Sequence, residues 1–140
     1  MMMKKMMAGV ALALVFGAAQ ARTPVALVEP ERVVVAASAG TLTPEQVKQA
    51  IVRGGARFEW TVVREEAGNI QLKYNKQNKH EVVVAITYDS TGYQIRYVSS
   101  VNMKYETING TPMIHPFYNT WVGNLSRAIA SEATAAVAGK

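Results

Sequence analysis

Only two histidines occur in the 140 residues, His80 and His115. Imidazole changes charge near neutral pH and binds metals through its neutral nitrogen. With Asp89 or Glu81 nearby, the pair could make an acid/base or metal site, but their spacing fits no metal motif. Both stand where an element begins: His80 opens a strand and His115 precedes a proline-initiated helix. The ordinary work of such a histidine is to cap a helix or bond a loop carbonyl, and that is the reading favoured. A hydrolase-like enzyme using His80, His115 and nearby polar groups is the alternative.

Other catalytic patterns are lacking in the sequence. No serine lies in a G-x-S-x-G setting, and no glycine-rich phosphate loop is present. Asp89 is the sole aspartate and is needed in a turn, while Glu65 and Glu66 are neighbours on a strand end and point apart. No cofactor and no metal is expected. Cations are better placed for binding. Lys73, Lys76 and Lys79 alternate with Asn75, Gln77 and Asn78 along one hairpin tip, with Arg96 on the polar face of the neighbouring strand and Lys104 after it. Several cations on one ridge add their fields, which would suit an anionic partner; lysines also keep sheet edges from sticking. Trp60, Trp121, Tyr74, Tyr88, Tyr97 and Tyr118 fall on apolar faces and read mainly as core, with an aromatic sugar-binding platform as the weaker alternative.

The elements that must position these residues centre on Lys79–Met103. His80, Val82, Val84, Ile86 and Tyr88 alternate with Glu81, Val83, Ala85 and Thr87, and Tyr93, Ile95 and Tyr97 alternate with Gln94, Arg96 and Val98. A period of two marks strands, and Asp89-Ser90-Thr91-Gly92 supplies the reversal, with Gly92 expected at positive φ. Phe58–Glu65 and Ile70–Lys76 give a second hairpin of the same kind, each with one apolar and one wet face. Thr43-Pro44-Glu45-Gln46 starts a short helix by a capping box and a proline at the first turn, and Gly54-Gly55 is expected to end it. Asn102–His115 reads as irregular, and Pro116 opens a helix to about Val137 whose apolar residues recur every three or four positions. The expected fold class is α+β: a two-layer sandwich of a four-stranded antiparallel meander with both helices on one face, in the order α-β-β-β-β-α.

The chain starts with a short basic stretch, an apolar run from Met6 to Ala19 and Ala19-Gln20-Ala21, the pattern of a cleavable secretory signal. The expected domains are therefore a signal peptide over 1–21, a flexible linker over 22–42 and one α+β domain over 43–140. In the linker, Pro24, Pro30 and the small residues 36–40 argue against structure, although Val33-Val34-Val35 could pair as an edge strand. Cleavage after Ala21 removes Lys4 and Lys5 and lowers the formal charge of +5 by two, a basic excess too small to imply nucleic acid. With no cysteine there is no disulfide and no lipid attachment point beside the cleavage site, so the core alone must hold the fold. No transmembrane segment is expected in the mature chain.

Three runs together resemble a known family: Tyr74–His80 (YNKxxKH), Tyr88–Tyr105 (YDxxGYxIxYxxSxNMxY) and Ile114–Leu125 (IHxxYNxWVxNL). They are similar to a group of small exported proteins of Gram-negative bacteria, many of them lipoproteins, whose function is not established. The resemblance covers about Leu42–Ile129. It implies an envelope location and supplies no reaction. Where the lipoproteins have a cysteine this chain has Gln20-Ala21-Arg22, so lipid anchoring is not carried over. The expectation is a small soluble periplasmic binding or accessory protein of the cell envelope, not an enzyme. Its expected site is the Lys73/Lys76/Lys79 ridge with Arg96 and Lys104, and its expected partner an anionic envelope component or another envelope protein.

Overall fold

The structure, a computed structural model, describes residues 23–35 and 41–139. The proposed signal segment and residues 22 and 36–40 of the expected linker lie outside the described residues. Along the chain run β1 (Val25–Ala26), β2 (Val33–Val34), α1 (Pro44–Arg57), β3 (Thr61–Glu66), β4 (Asn69–Lys76), β5 (His80–Tyr88), β6 (Gly92–Val101), β7 (Glu106–Ile108), β8 (Thr111–Ile114) and α2 (Phe117–Ala138). The fold is α+β. Its larger sheet is antiparallel, in the order β2-β6-β5-β4-β3, and a smaller one is ordered β1-β8-β7.

Alternation decides the core. Ile70 and Leu72 on β4, Val82, Val84 and Ile86 on β5, and Tyr93 and Ile95 on β6 are all buried on one face of the larger sheet. Register brings them side by side, Leu72 opposite Val84 and Ile86 opposite Ile95. Val47 and Ile51 of α1 and Tyr118, Val122, Leu125 and Ile129 of α2 complete the same cluster. Each aliphatic side chain so buried contributes about 1.5–3 kcal/mol.

Helix α1 begins as its sequence dictates. The Thr43 hydroxyl accepts from the Gln46 amide at 3.1 Å, and the Gln46 side chain accepts from the Thr43 amide at 2.9 Å. It does not stop at Gly54-Gly55, however, but continues to Arg57. These glycines permit close packing and not termination: a Cβ on Gly54 would lie 2.7 Å from the Ile129 amide nitrogen of α2.

Four further expectations change. Strand β3 starts at Thr61, not Phe58, because Glu59 takes φ 67° and turns the chain between α1 and the sheet. The stretch expected to be irregular, 102–115, contains the β7–β8 hairpin, turned by Asn109 (φ 53°) and Gly110 (φ 81°), the two positive angles that suit a tight hairpin. Residues 23–35, expected as part of a linker, form a strap: Val25 pairs with Ile114, Val33 with Tyr93, and Pro24 and Pro30 fall outside the paired positions. So the larger sheet has five strands where a four-stranded meander was expected, and a second sheet accompanies it. Gly92 does not have positive φ; it is needed because a Cβ there would come within 2.3 Å of the Val33 carbonyl oxygen of the strap. Among the described residues no helix is long and apolar enough to cross a membrane.

Candidate functional site

The end of the larger sheet where β4 leaves and β5 enters gathers most of the residues singled out in the sequence. The β4–β5 turn is tight, with Gln77 at φ 56° and Asn78 at φ 58°, and Lys76 and Lys79 flank it, exposed. The Asn102 side chain donates to the Lys79 carbonyl at 3.0 Å, stitching this turn to the end of β6. Asn102 and Lys104 are themselves left-handed, at φ 60° and 56°, which turns the buried Met103 between them into the core.

Both histidines stand here. His80 Nδ1 donates to the Asn102 carbonyl at 2.8 Å. His115 is buried, and its Nδ1 accepts from the Phe117 amide at 3.0 Å, which satisfies one of the free N–H groups at the start of α2. The ring centroids are 5.7 Å apart. Folding thus brings the two together while committing the Nδ1 of each to a structural bond. Among the described residues no group of three or more metal-ligating side chains could hold an ion.

The basic residues do not form one continuous ridge. Lys73 Nζ is 3.9 Å from Glu81, and Arg96 donates to Glu29 of the strap at 3.2 Å, so two of the expected cations face carboxylates. Lys76 and Lys79 have no ion-pair partner among the described residues. Arg96 lies opposite Ala85 on β6, two strands away from β4.

Beside the histidines runs a line of aromatic rings. Phe117 lies 4.4 Å from His115 and 5.5 Å from Trp121, and Trp121 meets Tyr74 edge-on at 4.9 Å. Tyr74 in turn lies 5.5 Å from Trp60, tilted by 33°. The last three rings, with Phe58 and Asn124, line a cleft of about 180 Å³ between the end of α1, β4 and α2. The left-handed Glu59 explains its shape, since reversing the chain there sends Phe58 outward, 41% exposed, and Trp60 inward, 4% exposed. The Trp60 amide donates back to the Gly55 carbonyl at 2.9 Å and fixes that reversal. Trp121, at mid-stripe of the α2 apolar face, is only half-buried because its ring borders this opening.

The walls of the cleft are mainly aromatic rings, and they carry polar groups as well. The indole N–H groups of Trp60 and Trp121 and the Tyr74 hydroxyl have no hydrogen-bond partner among the described residues, and none of the three is sealed from solvent. Asn124 uses its carbonyl oxygen to accept from Arg127 at 2.6 Å, which leaves its NH2 to donate. Trp60, expected in the core, is buried there, while Tyr74 and Trp121, expected beside it, are only partly buried and pack against it.

A different condition holds under the strap. The Tyr118 hydroxyl is buried without a hydrogen-bond partner, and burial, with the Glu29 carboxylate and Tyr97 nearby, pushes its phenol well above the ordinary range. No family model, curated protein or solved structure matches the chain.

Proposed function

We propose that the protein is a small binding or accessory protein of the bacterial envelope, exported to the periplasm with cleavage after Ala21, and that it binds through the Phe58/Trp60/Tyr74/Trp121 cleft. The observation that carries this is the set of unpartnered polar groups on partly open aromatic walls. Ligand sites are commonly concave and apolar with a few convergent polar groups. The signal-like start and the resemblance to exported envelope proteins support the location. The basic residues support an anionic partner less well, because Glu81 and Glu29 face Lys73 and Arg96.

The test is retention of envelope components on immobilised protein. The parent should retain a component that Phe58→Ala does not, while Lys73→Gln, Lys76→Gln and Lys79→Gln combined retain it unchanged. Loss in the lysine variant and not in Phe58→Ala would move the site to the ridge. Intact mass of the exported species checks cleavage; a mass that includes residues 1–21 refutes it.

One observation favours a second, enzymatic reading: the 5.7 Å approach of His80 and His115. Hydrolysis of ester or amide model substrates by the parent, abolished in His80→Ala, would establish it.

A further inference from the structure

Resting on the binding reading above, the geometry points to an uncharged carbohydrate as the ligand of the aromatic cleft. Aromatic faces carry negative potential and attract either cations or the weakly positive C–H face of a saturated ring. A cationic ligand is disfavoured because no carboxylate lines the cleft, and Arg127 is bonded to the Asn124 that does. An anionic ligand is disfavoured as well, since no lysine, arginine or histidine is among the lining residues. A purely aliphatic ligand would cover both indole N–H groups, the Tyr74 hydroxyl and the Asn124 NH2 without pairing them, and so leave their desolvation uncompensated.

A pyranose meets all of these conditions at once. Its apolar face stacks on an indole or phenol ring. Its hydroxyl rim offers acceptors to three donors, the two indoles and the amide, and a partner of either sense to Tyr74. The walls are not parallel: Tyr74 and Trp121 meet at 81°, and Tyr74 and Trp60 at 33°. A ring stacked on one wall therefore presents its edge to another, so one sugar can contact a face and polar groups together. Phe58, at the exposed lip, extends the apolar surface outward, which suits a chain of sugars more than a single residue.

The molecule carries its own probe. Both tryptophans of the chain, Trp60 and Trp121, line this cleft, so intrinsic emission reports its occupancy directly. Titration of the full exported protein with chitotetraose, cellotetraose and maltotetraose should give a saturable change in emission with at least one of them. The response should be insensitive to salt, because an uncharged ligand has no field to screen. Phe58→Ala, at an exposed position, should keep the fold and weaken binding about tenfold. Failure of all three sugars to shift the emission overturns the carbohydrate assignment. If an envelope extract still shifts the parent's emission but not that of Phe58→Ala, the binding reading survives with another ligand class. If it shifts neither, the binding reading falls too. A saturable sugar response that Phe58→Ala leaves unchanged also overturns the assignment, since the sugar would then bind elsewhere.

Discussion

Residues 61–101 fold back on themselves through short hairpins, whereas residues 23–35 find their partners on β6, on β8 and at the start of α2. The first region is held by a continuous apolar face against two helices. The strap contributes little to that face, mainly Val35, with Leu27 and Val33 packed at its margin. It is held by polar clips: Glu29 accepts from the Tyr97 amide at 2.8 Å and from Arg96, and Arg32 donates to Asp89 at 2.8 Å. Asn119 is a two-way clamp, accepting from the Val28 amide and donating to the Ala26 carbonyl, each at 3.0 Å. Area holds one region and geometry the other, so they should fail differently.

The largest effect should come from the helix–helix contact under the meander. Gly54→Val places a side chain against the α2 backbone, and its denaturant midpoint should fall by the equivalent of about 3 kcal/mol. A midpoint within error of the parent would mean that the helices are farther apart than described.

Smaller and more local is Gly92→Ala, whose Cβ collides with the Val33 carbonyl. A loss of about 1–2 kcal/mol is expected, with new protease cleavage confined to the strap. Cleavage within β4 or β5 instead would show that strap and meander open as one unit.

That contrast also governs what could be read in advance. The meander faces were legible because alternation over many residues is a strong signal, and Ile70/Leu72, Val82/Val84/Ile86 and Tyr93/Ile95 lie where the pattern put them. Strands of two residues have no period, so Val25–Ala26 and Val33–Val34 left no such trace beyond β-branched composition. Asn109-Gly110 was a usable hairpin signal, masked by Pro112 within the same hairpin. The candidate cleft was hidden for another reason: Phe58 and Trp60 share a strand face only if β3 begins at Phe58, and the left-handed Glu59 removes that condition.

Weaker still is the Glu29 clip. Glu29→Gln keeps the shape but removes the charge that faces Arg96, a loss of about 1 kcal/mol. Amide exchange at Tyr97 should accelerate while that at Val84 stays unchanged; equal acceleration at both would erase the distinction between the regions.

The least effect is a pH dependence at Asp89. Hydrogen bonds from the Thr91 hydroxyl and amide, with Arg32 alongside, hold its carboxyl down at about 2. A carboxyl lowered in the folded state stabilises fully above its unfolded value near 3.9, and that contribution is lost as pH falls from there through about 2. The difference in melting temperature between parent and Asp89→Asn should therefore be full at pH 5 and shrink steadily as pH falls through about 2. A constant difference would mean that the turn does not favour the charged form.

The Asn119 clamp also sets a timetable. Val28 and Asn119 are 91 residues apart, so a ribosome that has just made the strap has yet to make what secures it. At roughly 5–20 residues per second, the interval is on the order of ten seconds. Within it Glu29, Arg32 and Val33 can already meet their partners between Asp89 and Tyr97, while the Val28 amide and the Ala26 carbonyl still lack Asn119. Any factor that must handle the segment around Ala26–Val28 as a thread has that interval in which to act, before the start of α2 closes over it.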